Sequence, residues 1–149
     1  MNPAVGSRPV EKVRLLLSSR VSWLDLVQSV GDDLGSRLGL DEEDGFKIAM
    51  ALREGLNNAI LHGNKCDPAK KTTLKISSSG DTIEIIVEDQ GTGFALDTVA
   101  DPTDMANLLK PNGRGILIIR SFMDEVDLSA PKGGGCRLRM LKRISGDRR

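Results

Sequence analysis

The stretch Asp41–Asn64, DEEDGFKIAMALREGLNNAILHGN, has the pattern of one long amphipathic helix. At about 100° per residue, one stripe of this helix collects small and apolar residues, which we expect to face the core: Gly45, Ile48, Ala49, Leu52, Leu56, Ala59 and Gly63. Glu54 lies almost opposite that stripe, and Asn58 follows one turn later. A solvent-exposed polar stripe is one interpretation, but the flanking residues on that side are apolar: Met50, Ala51 and Leu61. This favours a pocket around Glu54 and Asn58.

The length and charge of the chain limit the kinds of protein it can be. With 149 residues we expect one domain spanning 1–149, with a flexible leader at 1–9 and a flexible tail at 144–149. Lys and Arg number 21, as do Asp and Glu, so no overall field favours direct binding to nucleic acid or to a membrane.

The two cysteines and the single histidine do not form a pattern of metal ligands. Cys66 and Cys136 are far apart in the sequence, which argues against a zinc site and for a reducing compartment. The chain shows no apolar run long enough for a membrane span and no pattern of a cleaved leader. We therefore expect a cytoplasmic protein.

The remaining elements follow from alternation, helical spacing and turn residues. The predicted order is strand, helix, helix, strand, strand, loop, helix, strand, strand, which differs from the strict alternation of a doubly wound sheet. The predicted strands lie at 13–18, 72–78, 82–88, 126–130 and 136–141. This order predicts an α/β two-layer sandwich, with a mixed, mostly antiparallel sheet and the helices on one face.

Two glycine motifs flank an irregular segment in the second half of the chain. Asp89–Phe94, DQGTGF, leaves the second hairpin strand, and Asn112–Gly115, NGRG, opens the third helix. Gly113 and Gly115 would leave amides free at a helix N-terminus, where the helix dipole favours a triphosphate. The segment 95–112 lacks periodicity, and its length is more typical of a lid or binding loop than of a connector.

The ordered set of these motifs predicts a nucleotide site, although each motif alone is a weak signal. Asp89, fixed at a strand end, can accept a hydrogen bond from an exocyclic amine. Gly91 and Gly93 would let the backbone pass close to the base and ribose without a Cβ clash. Asn58 offers a neutral oxygen to an octahedral Mg²⁺ that bridges the phosphates.

These motifs resemble those of the GHKL ATPases, which have the Bergerat fold, and in particular the bacterial anti-sigma factor serine/threonine kinases. Glu54–Gly63 is similar to the N box of that family, and Asp89–Phe94 to its first glycine box. The second glycine box is matched by Gly113–Ile116 and, further on, by Met123–Val126. The resemblance covers the chain from about residue 10 to residue 143.

The resemblance implies roles for individual residues and the use of ATP with Mg²⁺. Glu54 would be the general base, Asn58 the Mg²⁺ ligand and Asp89 the adenine reader. The segment 113–115 would bind phosphate, with Arg114 near the γ-phosphate.

The resemblance also implies a function in transcription regulation. The chain would be a protein kinase that phosphorylates Ser or Thr on an anti-anti-sigma-like partner and sequesters a sigma factor, possibly as a homodimer. The alternative is a nucleotide-dependent protein-binding switch that transfers no phosphate. The family usually has Thr or Ser entering the last strand, where this chain has Cys136. A thiol is a weak donor, so this departure favours weaker nucleotide binding.

Overall fold

The computed structural model describes residues 11–91 and 111–144, without the side chains of Glu11 and of residues 111–114. Several predictions fall beyond this range: the leader at 1–9, Gly93, most of the lid at 95–112 and the tail after residue 144. The elements, in chain order, are β1 (Glu11–Ser18), α1 (Trp23–Arg37), α2 (Glu42–Asn57), a π-helical segment (Asn58–Gly63), β2 (Lys71–Ser79), β3 (Thr82–Glu88), α3 (Pro111–Phe122), β4 (Glu125–Ser129) and β5 (Arg137–Arg143).

The five strands form one open sheet in the order β1-β2-β3-β5-β4. All four neighbouring pairs in the described part of the chain are antiparallel. In the central hairpin Leu74 lies opposite Val87 and Ile76 opposite Ile85, as the alternation predicts. The predicted α/β sandwich with a mostly antiparallel sheet is therefore confirmed, and no parallel pair of a mixed sheet occurs within the described residues.

The core lies between one face of the sheet and the apolar stripe of α2. Five residues of the predicted stripe are buried there: Ile48, Ala49, Leu52, Leu56 and Ala59. They share one cluster with side chains from the facing strands, among them Leu74, Ile85 and Met140, none of which is exposed. The opposite sheet face carries ion pairs, such as those from Arg139 to Glu84 and Asp127. The helices thus cover one face, as predicted.

The helix ends follow local sequence signals. Asp41 precedes α2 and accepts a hydrogen bond from the Asp44 backbone N–H at 2.8 Å, which satisfies one of the unpaired donors of the first turn. Ser22 precedes α1, but its side chain makes no capping bond. Gly39 follows α1 with a φ of 66°, a conformation that glycine adopts without strain. No helix within the described ranges is long and apolar enough to cross a membrane.

The prediction of one uninterrupted helix over Asp41–Asn64 is wrong at its C-terminal end. The α-helical hydrogen bonds end at Asn57, and the chain winds as a π-helix over Asn58–Gly63. The Asn64 N–H therefore bonds the Ala59 carbonyl, five residues back. Such wider turns are rare and occur often at functional sites. This winding changes the direction of every side chain after Asn58, which places Gly63 and Asn64 beside the end of β3.

Candidate functional site

Asp89 directly follows β3 and is 6% exposed. Its Oδ1 atom accepts hydrogen bonds from the Gly91 N–H at 2.9 Å and from the Cys136 N–H at 3.2 Å. The Asp89 N–H in turn donates to the Cys136 carbonyl at 3.0 Å. The carboxylate is thus held through one oxygen. Within the described residues no donor bonds Oδ2, which leaves that oxygen able to accept a hydrogen bond from a ligand.

Burial raises the pKa of the Asp89 carboxyl group above its ordinary value, because the charged form is poorly solvated there. The hydrogen bonds from Gly91 and Cys136 and the positive charge of Lys70 act in the opposite direction and lower the pKa. Burial is the larger effect. A buried carboxyl group with a shifted pKa that lines a cavity is a common feature of functional sites.

Three glycines surround Asp89 so closely that each excludes a side chain. A Cβ atom on Gly63 would overlap the Asp89 carboxylate, and one on Gly91 would overlap the Gly63 carbonyl. A Cβ atom on Gly135, which has a φ of 89°, would overlap the Asp89 carbonyl. The backbone can approach this closely only because the residues are glycines. Only Gly91 was predicted as a site residue from the sequence, and the contacts of the other two depend on the fold.

Glu54 and Asn58 lie on the side of α2 and of the π-helical segment that α3 covers. Asn58 is 5% exposed, and its Nδ2 atom has no hydrogen-bond partner in the described part of the chain. A Cβ atom on Gly115 would lie 3.1 Å from Asn58 Oδ1 and 3.3 Å from Glu54 Oε2. The predicted pocket on this side is therefore real, and Gly115 is its nearest contact from α3.

The start of α3 differs from the prediction that Gly115 supplies a free amide. The helix begins at Pro111, a residue suited to the first helical position. Gly115 is then its fifth residue, beyond the turn whose N–H groups are unpaired, whereas Gly113 lies within that turn. Gly115 instead allows the close approach to Asn58. The side chain of Arg114 lies outside the described residues.

A cavity connects the two groups of residues. It encloses about 230 Å³, including its open mouth, and it is lined by Gly55, Asn58, Ala59, Val87, Asp89, Ile116, Leu128, Cys136 and Leu138. Only about 10 Å³ of this space can hold the centre of a water molecule, so the walls nearly touch. The lining is mostly apolar with two buried polar side chains, which is typical of a site for a flat, partly polar ring. Such a ring would enter by moving the walls apart.

The donor set near Asn58 fits an Mg²⁺ ion bound together with phosphates. Within residues 11–91 and 111–144 there is no group of three or more His, Cys, Asp or Glu that could hold a metal ion alone. Mg²⁺ is commonly held by one or two protein oxygens together with substrate phosphates and water. The buried amide of Asn58, which has an unsatisfied nitrogen in the described structure, is a suitable group for such a shared site.

Comparison with known proteins identifies relatives of this chain. The family described as "Histidine kinase-like ATPase domain" matches residues 17–142. The "Anti-sigma F factor" of Clostridium perfringens (strain SM101 / Type A) is 32% identical over 100 residues, which cover 66% of this chain and 71% of the relative. The "Serine-protein kinase RsbW" of Bacillus velezensis is 23% identical over 148 residues, covering 95% of this chain and 91% of the relative.

Solved structures share the fold at low sequence identity. The structure of the RsbU and RsbW domains of a Mycobacterium tuberculosis protein covers 93% of this chain and 34% of that chain, with a TM-score of 0.68 and 18% identity. The mycobacterial sensor histidine kinase MprB covers 89% of this chain and 98% of that chain, with a TM-score of 0.51 and 14% identity. Together with the match to residues 17–142, the named relatives confirm the predicted resemblance, and the chain belongs to the histidine kinase-like ATPase family.

Proposed function

We propose that this protein is an ATP-dependent serine/threonine protein kinase of the anti-sigma factor type. It would phosphorylate Ser or Thr on an anti-anti-sigma-like partner and sequester a sigma factor. The names of the relatives support this class of function. The observation that carries the proposal is the cavity that joins Asp89, which has an acceptor oxygen left for a ligand, to Asn58, which lies beside Glu54.

Each residue of the cavity has a definite part in this proposal. Asp89 accepts a hydrogen bond from the adenine amine through the oxygen that Gly91 and Cys136 leave unbonded. Asn58 turns its amide oxygen toward the metal–phosphate complex. A bound Mg²⁺ ion supplies charge neutralisation between the phosphate oxygens. Gly113 and Arg114, at the start of α3, contact the phosphates in the same proposal.

Glu54 is the proposed general base for the transfer. Its carboxylate is partly buried next to Gly115, on the same side of the helix as Asn58. The hydroxyl oxygen of the partner's Ser or Thr attacks the γ-phosphorus, its proton passes to Glu54, and ADP leaves with the bonding electrons. Catalysis of this kind rests on positioning and charge, so a single carboxylate at the correct place is sufficient.

The first experiment tests the nucleotide site. Titration calorimetry with ATP and Mg²⁺ on the parent protein should show binding, and Asp89→Asn should weaken it by about 1–3 kcal/mol, because a donating amide group then faces the adenine amine. Asp33→Asn is the matched control, since Asp33 is exposed on α1 and pairs there with Arg37. Equal ATP affinity in the parent and Asp89→Asn would contradict the site.

The second experiment tests phosphate transfer. A pull-down with and without ATP would recover the partner, and labelled ATP would then report phosphate on one of its Ser or Thr residues. Asn58→Ala should weaken binding of Mg²⁺ with ATP and also slow the transfer. A parent protein that binds ATP and the partner but transfers no phosphate would leave the nucleotide-dependent switch as the function.

A homodimer is also part of the proposal. Strand β1 lies at one edge of the described sheet, and Leu16 on it is 65% exposed. Val21, Trp23 and Leu26 are exposed close by in the sequence. Apolar side chains grouped in this way are typical of contact surfaces. Light scattering at micromolar concentration should give the mass of two chains, and a monomeric mass with and without ATP would contradict the dimer.

A further inference from the structure

Asn64, the residue after the π-helical segment, is completely buried and binds several parts of the chain. Its Nδ2 atom donates toward Ser19 Oγ at 2.9 Å, the Lys71 carbonyl at 3.0 Å and Thr72 Oγ1 at 3.1 Å. These acceptors belong to the segment after β1 and to the beginning of β2. One amide group therefore connects the end of the central helix to two strands.

The other end of the Asn64 amide holds the segment that contains Asp89. Asn64 Oδ1 accepts a hydrogen bond from the Gln90 N–H at 2.8 Å. Gln90 is fixed a second time, because its Oε1 atom accepts from the Lys71 N–H at 2.7 Å. The next residue, Gly91, donates to the Asp89 carboxylate and contacts the Gly63 backbone. The position of the carboxylate thus depends on a short segment that Asn64 ties to the rest of the fold.

We infer that Asn64 is a positioning residue that, through Gln90, aims the Asp89 carboxylate at the amine of a bound adenine; this rests on the proposed function. Without the Asn64 amide, the Gln90 N–H loses its buried partner and the segment after β3 can shift. A displacement of this kind misaligns a hydrogen bond to the ligand even when the fold survives, because such bonds weaken steeply with angle and distance. A core asparagine that only stabilises the fold would have no such effect on ligand choice.

The preference for ATP over ITP distinguishes the two roles. The two nucleotides carry the same triphosphate, but ITP has a carbonyl oxygen where adenine has the amine that Asp89 accepts from. A shift of Asp89 therefore lowers affinity for ATP and leaves affinity for ITP nearly unchanged. A general loss of stability lowers both affinities together, so the ratio of the two dissociation constants is the informative measurement.

The experiment compares Asn64→Ala with two matched controls by calorimetry, alongside thermal unfolding of each variant. Asn64→Ala should weaken ATP binding by about tenfold and reduce the ATP preference by a similar factor. Thr72→Val and Ser19→Ala each remove one acceptor of Nδ2 but keep the bond from Gln90 to Asn64. Both controls should lower the melting temperature and keep the ATP preference of the parent.

Every outcome bears on the inference. An ATP preference retained in Asn64→Ala, or lost equally in the two controls, overturns it while leaving ATP binding itself intact. A parent that binds neither nucleotide, or binds both equally, overturns the proposed adenine contact and this inference with it. If Asn64→Ala does not fold, Gln90→Ala carries the test, because Gln90 is exposed and its side chain makes the other bond of the segment. A reduced ATP preference in Gln90→Ala supports the inference, and an unchanged one contradicts it.

Discussion

The two ends of the candidate site are built in different ways. At the Asp89 end, hydrogen bonds from Gly91 and Cys136 fix the carboxylate, and three glycines bring the backbone close around it. At the other end, Glu54 and Asn58 face the side-chain-free Gly115, and the Asn58 amide nitrogen has no partner in the described part of the chain.

This difference indicates a division of labour within one cavity. A recognition group must hold one orientation before the ligand arrives, so it needs rigid neighbours. Groups that act on a metal–phosphate complex need polar atoms that the protein itself does not satisfy. The Asp89 end therefore sets which base binds, and the Glu54–Asn58 end acts on the phosphates. Variants at the two ends should separate these effects.

The largest expected effect is on turnover and comes from Glu54→Gln. The amide keeps the size and the hydrogen-bonding reach of the carboxylate but cannot accept a proton. Phosphate transfer to the partner should fall by roughly 10² to 10⁴, while ATP affinity stays close to that of the parent. A transfer assay with labelled ATP, run beside an ATP titration, measures both quantities.

Glu43→Gln is the control for this prediction, because Glu43 lies on the exposed first turn of the same helix and pairs only with Lys47. It should leave the transfer rate unchanged. Transfer at the parental rate by Glu54→Gln would show that the proton goes to another group, and the comparison between the two ends would then lose its chemical half.

The next largest effect is on stability and comes from Gly135→Ala at the Asp89 end. Gly133 and Gly135 lie in the same hairpin turn with similar φ values of 96° and 89°, but only Gly135 contacts the Asp89 backbone. Gly133→Ala should therefore cost about 1–2 kcal/mol for its left-handed conformation alone. Gly135→Ala should cost at least about 3 kcal/mol, because the clash with the Asp89 carbonyl is added.

Urea unfolding of both variants measures this difference directly. Equal free energies of unfolding would mean that the hairpin and the Asp89 segment can separate at little cost. The rigid end of the comparison would then be no more rigid than an ordinary turn.

The smallest effect is a pH dependence of base recognition. The pKa of Asp89 is raised from an ordinary value of 3.8 by burial, so the carboxylate takes up its proton at a higher pH in the folded protein than in the unfolded chain. Acidification through the raised pKa should lower the ratio of ATP affinity to ITP affinity, because the acceptor becomes protonated. Stability moves the other way: the contribution of Asp89 increases as the pH falls through this window.

Calorimetry with both nucleotides over a series of pH values tests this, since the triphosphate ionises alike in the two. Asp89→Asn, which has no titratable group at this position, should show a constant ratio. A ratio that is independent of pH in the parent as well would mean that Asp89 does not contact the base.

Much of this arrangement follows from the sequence, because it depends on local patterns. The helical stripe of α2, the alternation of β2 and β3 and the cap at Asp41 each result from neighbouring residues, and the structure confirms them. The placement of Asn58 and Asp89 on one cavity also follows, once the order of the elements is combined with the motifs.

The remaining features depend on contacts that no local pattern records. The contact between Gly135 and Asp89 joins residues far apart in the sequence, and GGG reads there as an ordinary turn. The π-helical winding is a matter of which carbonyl each N–H chooses, and the residues of Asn58–Gly63 are compatible with an α-helix as well. Asn64, as the last residue of the predicted helix, likewise gave no sign that its amide would be buried.

The π-helical segment has a consequence for which changes of chain length the protein can tolerate. Removing one residue between Asn58 and Gly63 would rotate everything that follows by about 100° if the helix then wound as an ordinary α-helix. Gly63 would leave the Asp89 carboxylate, and Asn64 would leave its acceptors in β2. Loops at the surface accept insertions and deletions readily, whereas this short buried segment should admit neither. In a library of random deletions, these six positions should be among the first to lose ATP binding.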